Sequence, residues 1–408
     1  MRQKGFGLLR RKPFRLFFIS RILVAAAASA QTIAAARLLL DGTQSGLMAG
    51  MGVLIAPLPG VLFSLVAGRV GDSAPPRGLL VLYDALRAGL TLLFFFFRAP
   101  RQVTAVLLLM SVTDVFTSPA SSRMLAAAGH GAILEANSLM AGATGFVSLV
   151  MPVLAGAIAG AFGADGAFAV SGALYALSAL CLSTSPAALA PRPARPKQGA
   201  GGLKGAFRLI LRRRSLLRAV LSLTALDFGT ACVNLAFYAY AFDELGVSTA
   251  FWGLILSVLY GMNLVAMAIL MRFKERFRAR PDVKGALFLP AVAAVWSVYS
   301  ISPSPAATVL CAAAEGLAAS MCTALFSTAL LDKAGYEFAA RVAGVRDVLS
   351  AAAKAAGAAL TFALMRRVKA GFVFSMSAAV LFAFSALLGV WMALGPRAAE
   401  KKTKRPAV

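Results

Sequence analysis

Residues 65–89 read "LVAGRVGDSAPPRGLLVLYDALRAG". A strongly apolar run stops, Arg69, Asp72, Arg77 and the pair Pro75 and Pro76 follow within a dozen residues, and an apolar run then resumes. How this short, charged, kinked connector is read depends on what flanks it. The chain has 408 residues, 60% of them hydrophobic and only 14% charged, with a mean hydropathy of +0.79. That balance lies far from an ordinary soluble domain and indicates a membrane protein.

A bilayer-crossing helix needs about 20 mainly apolar residues. Such runs occur twelve times, at roughly 14–40, 45–68, 78–97, 102–122, 136–162, 165–185, 215–242, 249–271, 284–302, 305–331, 340–365 and 370–394. The expectation is an all-α integral membrane protein of twelve transmembrane helices. Abundant Ala, Gly and Ser allow helices to approach closely, and Pro inside a span is tolerated because neighbouring helices satisfy the freed backbone groups. The N-terminal "MRQKGFGLLRRK" followed by "ASAQ" imitates a signal peptide, but the apolar run from Phe14 to Leu40 is too long for a signal core, so it reads as a retained helix.

Most of the 41 Lys and Arg fall on one side if both termini are cytoplasmic. The positive-inside rule then places the chain in a bacterial inner or plasma membrane with that orientation. The formal charge of +25 therefore implies attraction to anionic inner-leaflet lipid rather than nucleic-acid binding. One loop breaks the pattern, placing Arg366, Arg367 and Lys369 outside, where snorkelling helix ends explain them.

Residues 185–214 run from Pro-rich through Gly-rich to basic, the composition of a cytoplasmic linker ending in a helix on the membrane surface. The linker separates a six-helix half at 1–184 from a second at 215–408, which ends in a short basic tail. An offset of 201 residues superposes Gly60 on Gly261 and Asp114 on Glu315, in corresponding helices of the two halves, as an internal duplication requires.

Twelve spans in two halves, with "GRVGDSAPPR" between the second and third, resemble the major facilitator superfamily. The signature there is G-x-x-x-D-[RK]-x-G-[RK]-[RK]. Gly68 and Asp72 match its glycine and aspartate and Arg77 supplies a closing basic residue, while Ser73 replaces a basic residue and the second glycine is missing. Further residues resemble the branch of macrolide-efflux and siderophore-export permeases, to which lysophospholipid transporters are related. They are Asp84 and Arg87 in "YDALRAG", Ser118, Pro119 and Ala120 followed by Ala136, Asn137 and Leu139, and Pro152, Ala155 and Gly156 in "MPVLAG". Met151 stands where the antiporter-associated motif has glycine. The resemblance implies alternating access, proton-coupled export of a small amphiphilic molecule and a monomer, with no cofactor. In that frame the connector is a latch on the outward-facing state, with Asp72 accepting from a helix N-terminus or an arginine of the other half. Without the resemblance it is an ordinary polar turn.

Arg21, Asp114, Asp227, Glu315 and Lys354 fall toward the middle of their spans, where a charge costs at least ~2.5 kcal/mol. Such residues face a cavity or each other. Asp114 and Glu315 are the leading contacts for protons or a cationic substrate, Arg21 and Lys354 are counter-charges or anion contacts, and structural ion pairing is the competing role. The acidic residue common in the family's first helix is absent from "RILVAAAASAQT", and Asp227 substitutes for it. Gln31, Asn234, Tyr238, Tyr260 and Asn263 offer polar contacts, and Phe237 and Trp252 offer apolar ones. The run Phe94 to Phe97 reads as a lipid-facing stripe and helix end.

Other chemistries are poorly served. Cys181, Cys232, Cys311 and Cys322 lie in apolar spans without C-x-x-C spacing and read as small packing residues, not metal ligands. With His130 the single histidine, a zinc site or a Ser-His-Asp triad is hard to build. No G-x-x-x-x-G-K-[ST] loop is present for ATP. The "VGD" at 70–72 and "YD" at 83–84 echo intramembrane aspartyl proteases in reversed order beside a loop. The expectation is thus a transporter rather than an enzyme. The alternatives are a lysophospholipid or lipid-like flippase and a membrane sensor or scaffold that moves no solute.

Overall fold

The computed structural model describes residues 7–54, 59, 63, 75–129, 133–185, 202–278, 280–301, 304–334 and 339–394. Ten helices among them are long and apolar enough to cross a membrane. The elements that position the site are α1 (Lys12–Thr43), α2 (Gly46–Leu54), α3 (Pro76–Phe96), α4 (Pro100–Gly129), α5 (Ile133–Ser183) and α6 (Gly202–Arg212). They continue with α7 (Arg214–Ala239), α8 (Thr249–Arg272), α9 (Leu289–Ile301), α10 (Pro305–Ala334), α11 (Ala339–Met365) and α12 (Ala370–Leu394).

Two differences reconcile these ten helices with the twelve expected spans. The 51-residue α5 holds two of them, because Gly163 leaves the helical region at φ 70° and ψ −175°, a positive φ that glycine adopts without penalty. The second arm runs antiparallel to α1: Ser171 Oγ donates to the Ala27 carbonyl at 2.9 Å and Ser178 Oγ lies 3.1 Å from the Ser20 carbonyl oxygen. The first arm instead follows α8, with Gly145 against Leu264 and Gly156 against Thr249. The expected span at 45–68 is described through α2 and only at scattered positions beyond it. The fold is therefore an all-α membrane bundle, with α6 as a short amphipathic segment outside the spans.

Helix pairing rests on small residues, as expected where lipid removes any hydrophobic drive between helices. The first arm of α5 and α8 approach so closely that a Cβ on Gly253 would lie 2.2 Å from the Pro152 carbonyl oxygen and one on Gly156 2.7 Å from that of Thr249. The helix-five motif residues Pro152 and Gly156 thus form a seam between the first arm of α5 and α8. Gly253→Ala is expected to destabilise the protein by about 1–3 kcal/mol through overpacking, read as an earlier thermal unfolding in lipid nanodiscs.

The "FFFF" stretch is only partly lipid-facing. Phe94 is fully buried and stacks on Phe168 with centroids 4.3 Å apart and ring planes 10° apart. Phe96 is 78% exposed, and the helix ends there. A helix of 3.6 residues per turn cannot present four consecutive side chains to one face, so one of them has to point inward.

Candidate functional site

Four charged side chains, Arg21, Asp84, Arg87 and Asp114, converge into one network. Asp84 and Arg87 are one turn apart on α3 and share a face. Asp84 is completely buried; its Oδ2 accepts from Arg21 of α1 and, at 2.8 Å, from Ser178 Oγ of α5. Its Oδ1 lies 3.8 Å from the Arg87 guanidinium. Arg87 donates to Thr113 Oγ1 at 2.8 Å and to Thr117 Oγ1 at 2.9 Å, pairs with Asp114 of α4, and lies 5.8 Å from the Tyr175 ring centroid. Two arginines and two aspartates leave no net charge, which is how a low-dielectric interior tolerates four ions.

Exposure separates the members. Arg87 is 2% exposed whereas the Asp114 side chain is 68% exposed. Asp114 lines a cavity of about 290 Å³ with Arg21, Arg87, Thr117, Ser121 and Ser122. A second space of about 110 Å³ continues past Asp114 to Gln31, Thr32 and Tyr175. A carboxylate this exposed inside a span faces an aqueous cleft, not hydrocarbon.

Further along the chain, Asp227 and Glu315 each sit in a separate cluster. Asp227 of α7 lies 3.3 Å from Arg346 and 3.4 Å from Lys354, both on α11, and Arg346 also lies 3.1 Å from Asp347. Glu315 of α10 is buried; Oε1 accepts from Trp296 Nε1 at 2.8 Å and Oε2 from Tyr299 OH at 3.1 Å. Both donors come from α9 and both are neutral. The Trp296 ring is held from the far side by Gly229, where a Cβ would lie 2.6 Å from it.

The repeat-related pair Asp114 and Glu315 are therefore not brought together: one faces a cavity beside an arginine, while the other is enclosed by α9 and α10. Arg21 pairs with Asp84, and Lys354 with Asp227. Asp84 and Arg87, expected with the loop motif, sit two to three turns inside α3 because the helix begins at Pro76. Arg77 reaches the carbonyls of Leu182, at 3.2 Å, and Ser183 at the end of α5, so it caps the C-terminus of that helix. Gly68 and Asp72 lie outside the described residues. Arg346 was missed by sequence reasoning, although it stands two turns before Lys354 on one helix face.

Gln31 lines the cleft, and Asn234, Tyr260 and Asn263 are exposed. Phe237 and Tyr238 pack instead on Trp252, with centroids 5.4 and 4.8 Å apart. They belong to an aromatic cluster that also takes in Tyr299 and Phe374.

A family model described as Major Facilitator Superfamily matches residues 14–358. The chain belongs to this superfamily. Members are membrane transporters rather than enzymes, and the chain is accordingly a multi-pass secondary transporter of a small substrate. Solved structures support the superfamily fold over nearly the whole length. A crystal structure of the nucleoside transporter NupG is similar with a TM-score of 0.75 at 12% identity, covering 94% of this chain and 99% of that one. The POT family transporter PepTSo gives 0.73 at 10% identity, with 93% and 97% covered. An inward-facing bacterial homologue of the human lysosomal transporter Spinster gives 0.67 at 14%, with 96% of each chain covered. No curated protein sequence matches the chain.

Proposed function

We propose that the protein is a proton-coupled exporter of a small amphiphilic molecule, resembling the macrolide-efflux and siderophore-export permeases and working by alternating access between a half at 1–184 and one at 215–408. Both termini are cytoplasmic, the linker at 185–214 lies on the cytoplasmic surface, and the unit is a monomer. The observation that carries this reading is the exposed Asp114 carboxylate on a mid-span cavity beside a buried Arg87. Such a carboxylate can bind a proton or a cationic amine from the cleft.

Glu315 supplies the second exchangeable site, since its partners among the described residues are neutral donors that serve it with or without a proton. Asp227, held by Arg346 and Lys354, is a structural tie between α7 and α11. An inward-moving proton releases about 2.3 kcal/mol per 100 mV of membrane potential, enough to drive modest export.

A lipid-like substrate is the second reading. It is favoured by an apolar groove of about 520 Å³ between the first arm of α5 and α8, lined by residues including Leu149, Val153, Leu254 and Met262. The test is flux in proteoliposomes under an imposed pH gradient, across amphiphilic drugs, siderophores and lysolipids. Movement of a drug or siderophore that Asp114→Asn reduces at least about tenfold, ~1.4 kcal/mol of lost interaction, supports export by antiport. Movement of lysolipid alone, indifferent to the gradient, overturns it in favour of a flippase.

A further inference from the structure

At the end of the bundle opposite the start of α1 and the end of α12, the two halves meet through a contact that the pathway above does not use. Asp243 lies in a single π-helical turn, Tyr240–Glu244, that extends α7. Its Oδ1 accepts a hydrogen bond from the backbone N–H of Gly46 at 2.6 Å. Gly46 is the first residue of α2, in the other half. First-turn N–H groups have no partner within their own helix, and their aligned dipoles favour a negative charge. No acidic residue occupies the first turn of α2, so the carboxylate that satisfies it comes from across the interface.

The approach needed for this bond is built into the sequence. Gly46 and Gly50 form a G-x-x-x-G pair, "GLMAG", the spacing that lets two membrane helices touch. A Cβ on Gly46 would lie 2.3 Å from the Tyr238 carbonyl oxygen, and one on Gly50 would lie 2.8 Å from Tyr238 Cβ. The π turn adds a residue to the last turn of α7 and so alters where the side chains beyond it point. Neighbouring Glu244 serves its own half, accepting from the Ala370 N–H at 3.0 Å, at the start of α12.

We propose that Asp243 is the latch of the transport cycle at this end: its bond to the α2 N-terminus forms when the halves close here and breaks when they open here. This inference rests on the alternating-access reading above. The Asp84 network lies inside one half, so a rigid rocking of the halves leaves it intact. The Asp243 bond crosses between halves and must break in any motion that separates α2 from α7. Asp243 is already exposed, so both partners are rehydrated on opening and the bond is weak enough to cycle.

Hydrogen–deuterium exchange on the full chain in lipid nanodiscs tests this. Asp243→Ala is expected to speed exchange over residues 44–54 and 236–246 and to slow it at the opposite end, over 116–129 and 325–334. The matching population shift is about threefold to tenfold toward the state open at the Asp243 end. Asp243→Asn, which keeps an acceptor but loses the charge, falls between, and Gly46→Ala, which blocks close approach, shifts exchange the same way. A rise confined to the residues beside 46 and 243, with no slowing at the opposite end, overturns the latch and leaves Asp243 a local helix cap. If the wild-type ends respond in opposite senses to transported substrate or to acidic buffer while Asp243→Ala matches wild type, the latch alone fails. If the wild-type ends never respond in opposite senses, the alternating-access reading fails and the latch with it.

Discussion

Asp84→Leu is expected to destabilise the protein by about 3–5 kcal/mol, the cost of removing one partner from a buried ion pair. Asp84 is fully buried and is the carboxylate that Arg21 and Ser178 both donate to. Without it the Arg21 guanidinium, itself only 8% exposed, is left in the bundle with Ser20 Oγ as its remaining hydrogen-bond acceptor among the described contacts. Replacing both partners removes the stranded charge, so Arg21→Met combined with Asp84→Leu should recover most of the loss. Denaturant or thermal unfolding of the three variants in nanodiscs checks the order. A double variant as unstable as Asp84→Leu would mean that the network stabilises by packing rather than by charge compensation.

Glu315→Gln is expected to separate movement from coupling. Glutamine keeps an acceptor for Trp296 Nε1, and its amide can donate to the Tyr299 hydroxyl oxygen, so the geometry around α9 and α10 survives. What it loses is the proton. Substrate exchange across a membrane without a gradient should therefore persist near the wild-type rate, whereas accumulation driven by a pH gradient should fall at least about tenfold, or ~1.4 kcal/mol of coupling. Equal loss of exchange and accumulation would place Glu315 in substrate binding instead.

The fold was legible because bilayer-spanning helices demand long apolar runs whatever their partners, and a composition with so few charges leaves little else to build. The Gly163 bend was implied by two runs with little polar sequence between them, though nothing local separates a hairpin from a kink there. The site was legible in part. Arg21, Asp114, Asp227, Glu315 and Lys354 stand out because any mid-span charge needs a reason, but which charge meets which depends on helix packing that spacing along one chain does not carry. Asp84 and Arg87 were noticed through a loop resemblance and turn out to sit inside α3. Arg346 and Asp243 escaped notice because each lies near the end of a span, where a charge costs little and so gives no signal. Phe94 shows the same limit in reverse: the "FFFF" run looks uniform, and only the helical period sends one ring to Phe168.

In proton-coupled export as proposed above, substrate and protons move in exchange through a path that includes Asp114 and Glu315. Proteoliposomes holding a trapped pH-sensitive dye test it directly, with substrate added outside in the absence of any initial gradient. Wild type is expected to move protons out of the lumen as substrate enters, Glu315→Gln to move substrate without protons, and Asp114→Asn to move little of either. Substrate entry with an unchanged luminal pH in wild type, or proton movement undiminished in both variants, would contradict it.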